Sequence, residues 1–200
     1  MTTYAEGLAA LADALDASTD ECTRLDAAAG DGDLGITLGK VAEAIRASMP
    51  DGDVAPADHL KVIGLAVAKA APSTFGTLVA TGFLRAAPAV QDAPSTQVAI
   101  AAALKAAEEG IAARGKATRG QRTALDALGP AADAFAAAPD LAQAWQAAAA
   151  AATAGAEATA AMDPVHGRAG WIAERAKGNP DAGATAVALA FAGTARVFAS

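Results

Sequence analysis

Aromatic side chains are scarce: Phe, Trp and Tyr together make up 4% of the 200 residues. Strands favour aromatic and β-branched residues, so an all-β fold is nearly excluded. Cysteine is almost absent. Cys22 is the only one, which rules out a disulfide-stapled scaffold. There is no excess of positive charge: 15 Lys and Arg stand against 22 Asp and Glu, a net charge of −7. The basic footprint needed for nucleic-acid backbone binding is missing. Long apolar runs are missing too. The alanine run 147–152 is too short to cross a bilayer, and Glu157 follows it closely. Glu6, Asp13 and Asp16 interrupt the first apolar stretch and no basic segment precedes it, unlike a signal peptide. The expectation is a soluble, cytoplasmic protein with neither nucleic acid nor membrane as partner.

Alanine, by contrast, fills about a third of the chain, far above average usage. It is the best helix former, and a core built from it requires elements that approach closely. The length suits a single domain spanning residues 1–200. A capping box at Thr3-Tyr4-Ala5-Glu6 opens a helix to about Ser18. Further helices are expected over 21–28, 36–49, 57–71, 74–90, 96–114, 121–137, 140–161, 168–177 and 183–198. Ser73, Thr96, Asp140 and Asp181 read as caps, and Pro130 as a kink or break. Leu141, Trp145 and Met162 anchor the alanine-rich stretch 131–161 as folded helix.

The densest chemistry is Asp26-Ala-Ala-Ala-Gly30-Asp31-Gly32-Asp33-Leu34-Gly35. Three carboxylates crowded on a glycine-rich loop repel one another unless a cation sits among them. Hard oxygen ligands of this kind suit Mg²⁺ or Ca²⁺. Asp51-Gly52-Asp53 repeats the tripeptide without a third acid just upstream, and reads as a solvated turn. The glycine spacing Gly30-Gly32-Gly35 also fits a dinucleotide fingerprint, but no strand precedes it and its acids would repel a bare pyrophosphate. A second patch, Pro72-Ser73-Thr74-Phe75-Gly76-Thr77, opens a helix and reads either as an anion site or as an ordinary cap. A third runs from Gly167-Arg168 through Glu174-Arg175 to Asp181-Ala182-Gly183-Ala184-Thr185. There Arg168 could fork onto a phosphate, while Asp181 reads first as a cap. His59 and His166 lack ligand partners at helical spacing and read as surface residues.

Taken in this order, the patches resemble the nucleotide-binding L subunit of dihydroxyacetone kinase (DhaL). Gly30-Asp-Gly-Asp-Leu-Gly35 stands where the family has G-D-x-D-H-G, with Asp26 upstream. Ser73 to Ala87 matches its glycine/serine turn and L-R-A-A run, and Arg114-Gly115-Lys116-Ala117 with Thr123-Ala124-Leu125-Asp126-Ala127-Leu128 its R-G-K-A and T-M-L-D-A-L. Gly167 to Arg175 and Asp181 to Thr185 match its G-R-A-S-Y-L-G-E-R and D-P-G-A-T. Leu34 replaces the usual His, Ile36-Thr37 replaces Thr-Asn, Ala124 replaces Met and Ala182 replaces Pro.

The resemblance implies an all-α fold, an eight-helix antiparallel closed barrel with ADP or ATP held by loops at one end. Asp26, Asp31 and Asp33 would chelate two Mg²⁺ ions. The loop of Leu34, Gly35, Ile36 and Thr37, with Ser73 and Thr74, would contact phosphates. Gly115 and Ala124 would line the nucleotide, while Arg168, Asp181, Ala182 and Gly183 close the site. Arg168, Asp31 and Asp33 would carry the phosphoryl transfer. A separate K-type subunit would hold the ketose, so the chain would be a kinase subunit inactive alone. ATP and a phosphotransferase-system protein acting on bound ADP stay open as donors. A related tetrulose kinase subunit, a non-catalytic helical scaffold and a homodimer stay open as well.

Overall fold

The computed structural model describes residues 4–165 and 178–199. Among these every regular element is helical: α1 (Tyr4–Ala17), α2 (Thr19–Ala29), α3 (Leu34–Ala47), α4 (Pro56–Ala70), α5 (Thr74–Ala89), α6 (Thr96–Gly115), α7 (Leu125–Ala137), α8 (Leu141–Ala158) and α9 (Ala182–Phe198). A 3₁₀ turn, Thr159–Ala161, ends α8 earlier than its pattern suggested. The cap of α6 is Ser95, not Thr96; its Oγ accepts from the Val98 amide. The predicted cap Thr3 and the predicted helix 168–177 lie outside the described residues.

Eight helices close into a ring in the order α1, α3, α4, α5, α6, α7, α8, α9 and back to α1. Contacts show neighbours running antiparallel. Between α1 and α9, Gly7 faces Phe198 while Gly193 faces Ala14. Between α7 and α8, Phe135 meets Trp145 while Gly155 lies on Asp126. Between α8 and α9, Trp145 stacks on Phe198 while Thr159 bonds to Asp181. α2 is the extra element, packed on α3 and α9 beside the end where both begin.

The alternation sets which helix starts share an end. Helices α3, α5, α7 and α9 start at one end of the barrel, the upper end. α4, α6 and α8 start at the other.

Small side chains make the ring tight. Ala144, Ala148, Ala152 and Ala156 line one face of α8 at spacing four, all buried. A Cβ on Gly155 would lie 2.0 Å from the Asp126 carbonyl oxygen. Pro130, four residues on, has no N–H to offer that carbonyl, so α8 can back directly onto it. Pro130 does not end α7. The larger side chains form two clusters. Leu38, Val41, Ile45, Ile63 and Val67 fill the space between α3 and α4. Phe135 anchors the second, against the alanine face of α8. Trp145 lies beside it, edge-on to Phe135 and stacked on Phe198, at centroid distances of 5.2 and 5.0 Å. Each such side chain contributes about 1.5–3 kcal/mol on burial. Phe135→Ala would leave a cavity costing about 3–5 kcal/mol.

His59, expected at the surface, is buried at the lower end. Its Nε2 donates to the Ser48 carbonyl at 2.8 Å, and Tyr4 meets its ring edge-on. The histidine therefore ties the end of α3 to the start of α4.

Candidate active site at the upper end of the barrel

Asp26 lies in the last turn of α2, Asp31 and Asp33 in the link to α3. One carboxylate oxygen from each lies within 4.8 Å of the others. Three glycines shape this link. A Cβ on Gly30 would approach Asp26 Oδ1 to 2.7 Å, so only glycine lets that carboxylate fold over the link. Gly32 has φ +75°, the left-handed region that glycine enters without strain. On Gly35, a Cβ would fall 2.0 Å from Thr23 Oγ1 and 2.4 Å from the Thr19 carbonyl oxygen. Gly35 thus seats α3 against α2 and brings the acids together.

α3 starts at Leu34, two residues before the predicted helix start at residue 36, so Leu34 to Thr37 form its first turn. The Leu34 amide donates to Asp26 Oδ2 at 3.2 Å, and the Thr37 amide donates to the Asp33 carbonyl. The amides of Gly35 and Ile36 have no acceptor among the described residues. Asp33 occupies the cap position but makes no side-chain cap bond, which leaves its carboxylate to the cluster. Leu34 and Thr37 are buried, while Ile36 is 64% exposed.

Thr37 Oγ1 bonds to Ser73 Oγ at 3.1 Å, which joins α3 to α5. Ser73 Oγ also accepts from the Gly76 amide as the cap of α5. Thr74 is the first residue of that helix and is exposed. Phe75 reaches across to α9, where a Cβ on Gly183 would lie 3.2 Å from its ring.

The start of α9 carries a half-buried carboxylate, Asp181. Asp181 accepts from the Ala184 amide at 2.8 Å, and its own amide donates to Thr159 Oγ1 at 2.7 Å. Burial pushes its carboxyl up to about 6, against the amide bonds and the nearby Arg122 charge that lower it. Asp126 adds to the rise. Arg122, buried with φ +57°, donates from Nη2 to the Asn179 carbonyl at 2.8 Å. It links the segment before α7 to the segment before α9.

The sequence pattern predicts a helix from residue 121. The structure starts α7 at Leu125, because Asp126 gathers the preceding turn instead. Its carboxylate accepts from the Thr123 amide at 2.7 Å and from the Gly120 amide. Asp126 was visible in the Leu-Asp-Ala-Leu match, but its partners were not. Gly115 ends α6 and is exposed, and Ala124 is the cap residue of α7. On the flank below them Arg119 bridges Glu108 Oε1 at 2.6 Å and Asp133, a network with no sequence signal. Burial would raise the Glu108 carboxyl, but hydrogen bonds from Arg119 and Lys105 hold it below its usual range.

The upper end thus brings together Asp26, Asp31, Asp33, Leu34 to Thr37 and Ser73, with Phe75 carrying the contact on to Asp181–Gly183. Gly115 and Ala124 stand on its rim, at the end of α6 and the start of α7. Arg168 and His166 lie outside the described residues.

The donor set suits a hard divalent cation. Three carboxylates converge, and among the described residues no basic side chain pairs with Asp26 or Asp33. Asp31 and Asp33 open to solvent, which fits Mg²⁺, a cation that keeps several waters and shares phosphate ligands. Cys22, in α2, is buried, and burial pushes its thiol up to about 11, so it is no nucleophile.

The chain is similar to known proteins over most of its length. The family model described as DAK2 domain matches residues 28–196. A D-erythrulose kinase of Mycolicibacterium smegmatis is 37% identical over 189 residues, covering 90% of this chain and 32% of its own length. The human triokinase/FMN cyclase is 36% identical over 170 residues, covering 82% of this chain and 29% of its own. This chain therefore spans about a third of those curated relatives. It spans 81% of the ADP-binding subunit DhaL of a PEP-dependent dihydroxyacetone kinase of Listeria innocua, at 30% identity over 84% of this chain. The dihydroxyacetone kinase of C. freundii superposes with a TM-score of 0.80 at 28% identity, over 96% of this chain and 34% of that one. Its complex with AMP-PNP and Mg²⁺ gives 0.76, again at 28% identity, over 96% of this chain and 33% of that one.

Proposed function

The chain belongs to the DAK2 domain family, with kinases among its relatives, and we propose that its upper end holds Mg²⁺ and the phosphates of ADP or ATP as the nucleotide-binding part of a ketose kinase. The observation that carries this reading is the convergence of Asp26, Asp31 and Asp33 within 4.8 Å, beside two amides of the α3 first turn that have no acceptor among the described residues. On this reading residues 1–200 act as one nucleotide-binding domain.

Mg²⁺, two ions in this reading, would neutralise phosphate charge and fix its orientation. Asp26, Asp31 and Asp33 would hold it. The Gly35 and Ile36 amides, at a helix start with its positive dipole end, would receive phosphate oxygens. Ser73 and Thr74 would add hydroxyl and amide donors from the start of α5. Gly115 and Ala124 would flank the nucleotide, and Ala182 and Gly183 would face it from α9, oriented by the Asp181 cap. Arg168 would contact the transferring phosphate through its planar fork. Phosphoryl transfer needs mainly alignment and charge stabilisation, which this set can provide without a base of its own.

The acceptor would be a small ketose presented by a separate K-type subunit or segment. His59 is buried at the opposite end and the Cys22 thiol stays protonated, so neither is placed to hold a sugar. The relatedness to a D-erythrulose kinase favours a four-carbon ketose beside dihydroxyacetone. The name of the Listeria relative keeps a PEP-dependent donor open beside ATP.

The test is calorimetric titration of ADP and ATP into the chain with Mg²⁺ and with excess chelator. Mg²⁺-dependent binding is expected. Absence of binding in both would leave a helical scaffold. Assays with dihydroxyacetone or erythrulose, with and without a K-type partner, then decide the rest. Turnover by the isolated chain would overturn the divided site.

A further inference from the structure

The outer face of α4 exposes two large aliphatic side chains less than one turn apart, Val62 and Leu65. Helix α4 turns Leu60, Ile63 and Val67 into the core. Directly opposite, Val62 is 51% exposed and Leu65 56% exposed. Asp58 and Lys69, both exposed, lie on the same line, one turn before Val62 and one turn after Leu65. The spacing 58, 62, 65, 69 is the four-three-four spacing of a helix seam. An acid near the start and a lysine near the end of a helix suit its dipole without any partner. The dipole gives no reason, however, for two large aliphatic side chains to stand in water between them.

The stripe is complementary to itself. Laid antiparallel on a second copy, the register that sets Val62 against Leu65 also sets Asp58 against Lys69. Both pairs are symmetric about the midpoint between Ile63 and Gly64, so one two-fold axis satisfies them all. Lys61, also on the exposed side, falls opposite Ala66 and meets no like charge. Leu84 of α5, 36% exposed, lies against Gly64 and widens the apolar strip on one side. We propose that this face of α4 pairs with the same face of a second copy of the chain, as an isologous antiparallel helix dimer. Such an interface commits one patch to both partners, as two-fold symmetry requires. It lies on the barrel flank and leaves the upper end open. One helix against one helix lies at the small end of specific interfaces, below about 1,200 Å², so association is weak and reversible.

Sedimentation equilibrium of the full chain reads this out. The parent is expected to show a concentration-dependent monomer–dimer equilibrium. Asp58→Lys sets lysine against Lys69, and Lys69→Glu sets glutamate against Asp58, in both symmetric contacts. Each variant alone should lose about tenfold or more in dimer affinity. Mixed together they should form a heterodimer. The lysine introduced at position 58 of one then meets the glutamate introduced at position 69 of the other, and the unchanged Asp58–Lys69 pair completes the face. Val62→Ser should weaken dimers without touching charge. All three sites are exposed, and unchanged circular dichroism shows that each variant is folded. A parent that stays monomeric at millimolar concentration overturns the proposal. So does a mixture of the two charge variants that associates no better than either alone.

Discussion

The barrel carries the tripeptide Asp-Gly-Asp twice, once at each end, and the two copies differ in almost everything but sequence. Asp31-Gly32-Asp33 sits at the start of α3 with Asp26 folded over it from α2. Asp51-Gly52-Asp53 lies in the exposed turn between α3 and α4. Both ends gather helix starts, and both have a serine cap. The upper end differs in a short extra helix that delivers a third acid and in glycines at which a side chain would collide. Gly35 meets Thr23 and Thr19, whereas nothing lies within 4 Å of a Cβ on Gly52. On the proposed reading a binding end arises from close backbone approach, and charge pattern alone does not make one.

The largest expected effect tests the acids. Asp31→Asn should reduce Mg²⁺-dependent nucleotide affinity by at least about 100-fold, since losing even a supporting residue of a metal site costs about 10–100-fold. Asp51→Asn should leave it unchanged. Titration calorimetry with circular dichroism as a control measures both. Equal losses from the two variants would erase the difference between the ends.

The next contrast concerns the glycines. Gly35→Ala must push α2 off α3, and overpacking of this kind costs about 1–3 kcal/mol. For a chain of this size that is a fall of about 2–4 °C in Tm per kcal/mol. Gly52→Ala meets open space and should be neutral. Differential scanning calorimetry of both proteins decides it.

A third contrast is electrostatic. At the upper end desolvation raises the half-buried Asp181 carboxyl to about 6, whereas Asp51, Asp53, Asp58, Asp92 and Asp140 at the lower end are exposed. A carboxyl whose pKa is higher folded than unfolded binds more protons in the folded state between those values. Stability therefore falls as pH rises from about 4 to about 6, then levels, by up to about 2–3 kcal/mol. Asp181→Asn should flatten that fall in urea unfolding measured across the window, while Asp140→Asn should leave it in place.

The helices were legible because alanine spacing and cap residues are local signals. Asp140 and Asp181 were read as caps from sequence and act so. The acid cluster was legible as well, since its three members lie within eight residues. What escaped depends on partners distant in sequence. His59 is buried because Ser48 and Tyr4 meet it. The turn 120–123 is wound on Asp126 and not into a helix, because a side chain competes there for the amides. Arg122 reaches Asn179 across 57 residues, a contact that no spacing rule announces. Thr96 lost the cap to its neighbour Ser95, an ambiguity inherent in two adjacent hydroxyls.

The smallest effect sharpens the comparison most, because it sets two chemically equal bonds at opposite ends. Ser73 Oγ accepts from the Gly76 amide at 3.1 Å at the start of α5, and Ser95 Oγ accepts from the Val98 amide at 3.3 Å at the start of α6. Replacing either with alanine removes one cap, a loss of about 1 kcal/mol. Ser73→Ala should cost about 1 kcal/mol more than Ser95→Ala, because it also removes the acceptor of the buried Thr37 hydroxyl. The two variants should also separate in nucleotide binding. Ser73 also holds Thr37 Oγ1 at 3.1 Å, which ties the α3 first turn to α5, and Ser95 has no link to the acid cluster. Ser73→Ala should weaken Mg²⁺-nucleotide binding by about tenfold, roughly the 1.4 kcal/mol of one hydrogen bond to a charged group. Ser95→Ala should leave it at the parental value. Paired melting curves and titrations read both quantities on the same samples. Equal binding by the two variants would reduce Ser73 to a cap and move the phosphate contacts wholly onto α3.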